Sequence, residues 1–185
     1  MELDFGKADI SLVNVVRRII LRDIYTYAIE KVTILTNTSV MHDEMLADRL
    51  ALVPLRITCN GTRSDKIDLS MSVSCESGTK NVYSRDILYS ISRDVNVEVV
   101  YPDILLAVLK EGQSIDIRAE CIRGNGEKHY KFSPVTTIDV MKEGDNVKLY
   151  AELIGQLTKD EILTTVKERL LDVTARVCSA IDRSM

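Results

Sequence analysis

Between residues 9 and 24, DISLVNVVRRIILRDI, the apolar positions Leu12, Val13, Val16, Ile19, Ile20 and Ile24 recur at steps of three and four. That spacing gathers them on one stripe of a helix. Asp9 is placed to cap it, because a carboxylate accepts from amides that lack an intrahelical partner. Asn14, Arg17, Arg18 and Arg22 fall off the stripe, so the helix is predicted to carry an apolar surface and a basic one. A longer version of the pattern closes the chain, where Ile162, Val166, Leu170, Val173, Val177 and Ile181 are spaced 4, 4, 3, 4 and 4 apart. Thr158 and Glu161 stand in the T-x-x-E relation of a capping box. The predicted helix, residues 159–182, would be about 36 Å long at ~1.5 Å per residue. A stripe of that length needs an opposing surface along all of it, and a partner helix in the same or another subunit is the natural one.

Between these helices the pattern shifts toward alternation. Leu3 and Phe5 alternate with polar neighbours as in a short strand. After a break near residues 25–27, residues 28–40 read as a strand, and Asp43 is expected to cap a short helix that Pro54 ends. Residues 55–59, 67–75, 95–100 and 114–122 are short β-like runs separated by the turn clusters NGTRSD, ESGTKN, EGQ and RGNGEK. Residues 103–112 fit either strand or helix. From Pro134, PVTTIDVM, the turn KEGDN and VKLYAELI read as a hairpin. The order predicts an α+β fold: a discontinuous domain of helices packed on an antiparallel sheet, residues 1–54 and 131–185, interrupted by a mostly β insert, residues 55–130.

Length and composition restrict what such a chain does. The 185 residues suffice for one or two domains, and 45% hydrophobic with 28% charged content is ordinary for a globular protein. A net charge of −4 argues against an autonomous nucleic-acid binder. No apolar run approaches the ~18–20 residues needed to span a bilayer, so no membrane association is expected. The acidic opening, MELDFGKAD, lacks the pattern of a secretory signal. Cys59, Cys75, Cys121 and Cys178 form no CxxC pair and read as small packing residues in a reduced, intracellular protein, with no metal site expected.

No catalytic constellation stands out. His42 and His129 are far apart and neither adjoins a nucleophile motif such as G-x-S-x-G. RGNGEKH lacks the lysine and hydroxyl of a phosphate loop after its second glycine, and reads as a tight turn whose glycines tolerate positive φ. No cofactor is expected.

Several segments, in order, resemble the α-like subunits of multisubunit DNA-dependent RNA polymerases, a family that takes in archaeal members, the third-largest nuclear subunit and the bacterial α N-terminal domain. NVVRRIILRDI is similar to the family's N-A-L-R-R helix at Asn14, Arg17 and Arg18. YAIEKVTILTNTSVMHDEMLADRLALVPL resembles a family block and keeps Asn37, Asp43, Glu44, Arg49, Leu50, Pro54 and Leu55. YSRDI, then LKEGQSIDIRAECIRGNGEKHYKFSPV and ELIGQLTKDEIL, resemble three further family segments, with Phe132 at a position that is tryptophan or phenylalanine in the family. The chain departs from the pattern at Tyr25, Asp48 and Ala51, where the family usually has proline, histidine and glycine. The cysteine-rich loop of some archaeal and nuclear members has no counterpart in these residues, and no bacterial-type DNA-binding domain is expected. The compactness would also suit a subunit encoded by a large DNA virus.

The resemblance implies a non-catalytic assembly scaffold that heterodimerises with a smaller α-like subunit and docks the second-largest polymerase subunit, alongside small assembly subunits. A homodimeric α-type subunit or another interaction module is the alternative. The dimer interface is expected at Leu12, Val16, Ile19, Ile20, Ile162, Val166, Leu170, Val173, Val177 and Ile181. The resemblance assigns large-subunit docking to Asn14, Arg17, Arg18, Arg49, Lys131, Phe132 and Ser133. It places the protein at the site of transcription: nucleus, cytoplasm or, for a viral member, the virion.

Overall fold

A computed structural model describes residues 1–59, 66–89 and 95–183; the side chains of Cys59 and Tyr89 are outside the described set, as is the expected turn NGTRSD. In chain order the elements are β1 (Glu2–Asp4), α1 (Ile10–Arg22), β2 (Tyr25–Asn37), α2 (Asp43–Ala51), β3 (Leu55–Cys59), β4 (Lys66–Ser74), β5 (Thr79–Tyr83), β6 (Leu88–Tyr89), β7 (Val95–Val99), β8 (Leu105–Lys110), β9 (Ser114–Asn125), β10 (Val135–Glu143), β11 (Asn146–Leu153) and α3 (Lys159–Asp182). Short 3₁₀ turns lie at Ser84–Asp86 and Tyr130–Phe132. The chain divides into two compact units, one of Met1–Thr26 with Asn125–Met185, the other of Tyr27–Gly124.

The first unit is a three-stranded antiparallel sheet, ordered β1-β11-β10, with α1 and α3 on one face. Its hairpin pairs Glu143 with Asn146, and Gly144 at φ +64° supplies the positive φ that a two-residue connection requires. Alternation along β11 turns Val147, Leu149 and Ala151 inward, where they meet Val13, Val16, Ile19 and Ile20 of α1 and Ile162 and Val166 of α3. Asp9 caps α1 by accepting from the Ser11 amide at 2.7 Å. The same contact, backbone first and hydroxyl second, holds its carboxyl below the ordinary range. The α3 capping box is complete: the Thr158 amide donates to Glu161 Oε2 at 2.6 Å, and the Glu161 amide donates to Thr158 Oγ1 at 3.3 Å.

The second unit is built on β-sheet, with α2 the α-helix among its described residues. A four-stranded sheet runs β2-β9-β4-β6, and β3 pairs with β7 and β5 with β8, all antiparallel where the register is defined. Residues 103–112, open to either reading from the sequence, contain strand β8, which pairs with β5 from Thr79↔Lys110 to Tyr83↔Leu105. Along β4 the odd positions Ile67, Leu69, Met71 and Val73 are buried and the even ones exposed, as a sheet with one wet face requires.

Three expectations are corrected. The unit boundaries fall at residues 26/27 and 124/125 rather than after residues 54 and 130. Residues 27–54 lie in the second unit because Ile29, Leu46, Leu50 and Val53 belong to its core. The expected break at residues 25–27 is strand, since β2 begins at Tyr25 and ends at Asn37, short of Val40. His42, not Asp43, is the N-cap of α2 and makes no side-chain cap bond; Asp43 sits in the first turn, where its carboxylate accepts from Asn37 Nδ2 at 2.7 Å.

Candidate protein-interaction surfaces

The residues expected at the dimer interface separate by burial. Val16, Ile19, Ile20, Ile162 and Val166 are covered within this chain, by β10, β11 and one another, and Leu170 is half-buried. Leu12 is 52% exposed, because it lies on the first turn of α1 and off the centre of the covered stripe. Along α3 the covering stops: Val173, Val177 and Ile181 are 41%, 52% and 55% exposed, although they continue the stripe that Ile162 and Val166 begin. Every described residue of α3 from Val173 onward is exposed. Beside the covered half, Leu3, Phe5, Val16, Leu163, Val166 and Leu170 line an open apolar groove, with Lys167 and Leu171 at its side. Contiguous exposed apolar surface of this kind marks an interaction site more often than isolated leucines do. Leu3, Phe5, Leu163 and Leu171 were not expected at a seam; the alternation at Leu3 and Phe5 was the available signal.

The basic side of α1 is different in character. Arg17 is half-buried and its Nε donates to Asn14 Oδ1 at 3.2 Å, which fixes the guanidinium plane against the helix. Arg18 is exposed. Arg22, one turn on, pairs with Glu127, and the hydrogen bond to that carboxylate raises its already high pKa. Asp23 lies 3.6 Å from Arg169 Nε, an ion pair between the end of α1 and α3. Arg49 belongs to the second unit, where its Nη2 donates to the Leu105 carbonyl at 2.5 Å.

The segment after β9 explains the remaining expected residues. Phe132 and Ser133 are fully buried, so they anchor the segment and present no side-chain surface to a neighbour. Thr26 Oγ1 donates to the Phe132 carbonyl at 2.7 Å, and Ser133 Oγ donates to the Val135 carbonyl at 3.0 Å. His129 caps the turn, its Nδ1 accepting from the Lys131 amide at 3.1 Å. Lys128 and Lys131 place their ammonium groups 5.7 and 5.4 Å from the centroid of the Phe132 ring, within cation–π range. Of RGNGEKH, Arg123, Gly124 and Asn125 still belong to β9 and only residues 126–128 form the turn, and its second glycine is not there for positive φ. A Cβ on Gly126 would lie 1.8 Å from the Leu21 carbonyl oxygen and 3.0 Å from its carbon, so glycine is required by close backbone approach to α1.

Among the described residues no group of three His, Cys, Asp or Glu is placed to hold a metal ion, and no helix is long and apolar enough to cross a membrane. Cys75 and Cys121 are buried free thiols and Cys178 an exposed one.

Comparison with known proteins adds the family. Residues 30–141 match the model of the RNA polymerase Rpb3/RpoA insert domain. The chain is 35% identical over 157 residues to the DNA-directed RNA polymerase subunit Rpo3 of Methanocaldococcus jannaschii, covering 85% of this chain and 78% of that one. It is 32% identical to the human DNA-directed RNA polymerases I and III subunit RPAC1 and 34% to that of Saccharomyces cerevisiae. These matches cover 74% and 72% of this chain but only 49% and 51% of the relatives, so the chain spans about half their length. By both the family model and the archaeal relative, the chain belongs to the Rpb3/RpoA-like family of RNA polymerase subunits.

Proposed function

We propose that this protein is a non-catalytic scaffold subunit of a DNA-directed RNA polymerase, acting where transcription takes place. It pairs with a smaller α-like subunit through α3 and the groove beside it, and docks the second-largest subunit through the outer side of α1 and residues 128–131. The observation that carries this reading is the change along α3, from covered Ile162 and Val166 to exposed Val173, Val177 and Ile181 on one continuous stripe. An exposed apolar stripe about ten residues long costs solvation unless a neighbour covers it. A permanent pairing of this type buries on the order of 2,000 Å² or more.

Docking is assigned to Asn14, Arg17, Arg18 and Lys131, with Phe132 and Ser133 holding the segment in place from beneath and Arg49 contributing from the second unit. Guanidinium groups suit such contacts because they make forked hydrogen bonds to carboxylates and carbonyls. Small assembly subunits complete the set of expected neighbours. Replacing Arg17 and Arg18 together by glutamate tests the division of labour. The variant should still co-purify with the smaller subunit but lose the second-largest one. Loss of both together, or of neither, would contradict it.

A further inference from the structure

Residues 125–133 are fastened to the last turn of α1 at three points. The Glu127 amide donates to the Arg22 carbonyl at 3.3 Å, and the Glu127 carboxylate pairs with the Arg22 guanidinium. Gly126 lies so close to Leu21 that any side chain there would meet backbone. Beyond this contact the chain turns on its own bonds, the Lys128 amide donating to the Asn125 carbonyl at 3.1 Å, and is then anchored by buried Phe132.

Charge gives the contact a consequence. In a protein of net charge −4, α1 and this segment carry Arg17, Arg18, Arg22, Lys128 and Lys131. Over residues 10–23 and 125–133 these five cations stand against two acids, Asp23, which pairs with Arg169, and Glu127, which pairs with Arg22. A local cationic surplus on an acidic molecule favours an anionic neighbour.

We infer that Gly126 and the Arg22–Glu127 pair are positioning residues that seat residues 125–133 on α1, so that Lys128 and Lys131 join Arg17 and Arg18 in meeting a carboxylate-bearing protein surface. This rests on the docking role proposed above and adds how that surface is set. Glu127, although acidic within a basic surface, strengthens docking by holding the lysines in place.

The test uses the full chain co-purified with its smaller partner, with binding of the second-largest subunit measured by interferometry at two salt concentrations. Glu127→Arg puts like charges together and should weaken docking about fivefold, the upper range for an exposed ion pair. The double variant Arg22→Glu with Glu127→Arg restores the attraction in reverse and should return affinity to near wild type. Hydrogen exchange at the residue 127 amide should quicken in the single variant and recover in the double. Gly126→Ala should weaken docking more than Glu127→Arg does; should it fail to fold, the charge swap alone decides. Unchanged docking in Glu127→Arg, or a double variant as weak as the single, overturns the inference while leaving the docking reading intact. Wild-type protein that does not dock removes both. Salt-sensitive binding of a DNA duplex that is lost on replacing Lys128 and Lys131 by alanine, with subunit docking unaffected, would assign the surface to nucleic acid and overturn the inference.

Discussion

The hydroxyl of Thr26 donates to the carbonyl oxygen of Phe132 at 2.7 Å, and both residues are buried. This bond joins the start of β2 to the segment that bears Lys128 and Lys131, across 106 positions of sequence. Thr26→Val keeps the shape but leaves a buried carbonyl without its donor. The expected cost is about 1–3 kcal/mol, the range for an orphaned buried polar group. Urea denaturation of the purified chain checks it; a change within about 0.5 kcal/mol, typical of a neutral surface site, would mean that the bond contributes little.

The two halves of α3 should respond oppositely to an introduced charge. Val166→Asp places a carboxylate in the core of the first unit and is expected to destabilise the chain by about 3 kcal/mol or more. Val177 lies on the exposed half of α3, so Val177→Asp should leave the stability of the chain within about 0.5 kcal/mol. Its effect should fall on pairing, weakened by about 2 kcal/mol or roughly thirtyfold if the residue is central to the interface. Melting curves of the isolated chain and a binding titration with the smaller subunit separate the two.

Thr158 initiates the helix that carries this seam. Removing its hydroxyl in Thr158→Ala leaves the Glu161 amide without its cap, at an expected cost of about 1 kcal/mol. Faster amide exchange confined to the first turn of α3 would be the signature, with Val177 exchange unaltered.

Acid should loosen the cap of α1. Because the folded-state pKa of Asp9 lies below its ordinary value of 3.8, its contribution is fully present above that value and fades as pH falls through the lower, folded one. Asp9→Asn removes that titration, so stability measured from about pH 5 downward should decline less steeply than in wild type. Parallel curves would show that the Ser11 contact does not stabilise the fold.

Much of this fold is legible in the chain because its signals are local. Thr158 and Glu161 mark the start of α3, Gly144 the hairpin turn, and the alternation through Ile67, Leu69 and Met71 the strand β4. Features set by distant partners were not readable. Whether residues 103–112 extend or coil is decided by pairing with β5, and residues 27–54 join the second unit because Ile29 and Leu46 find their core there. Phe132 and Ser133 lie in HYKFSPV, which has neither helical nor alternating periodicity, so nothing local shows that they are buried. The reason for Gly126 lies in the Leu21 carbonyl, far away along the chain. Of the interface residues, the periodicity located the stripe on α3 but not the point at which the chain stops covering it, since that depends on where β1 and α1 end.

The central claim is that the exposed half of α3 is completed by a different, smaller protein. The direct measurement is native mass spectrometry of this chain co-expressed with the small α-like subunit of its source. One copy of each, stable to dilution and made sensitive to dilution by Val177→Asp, is the predicted result. A monomer of this chain, or a homodimer that excludes the smaller subunit, would contradict it.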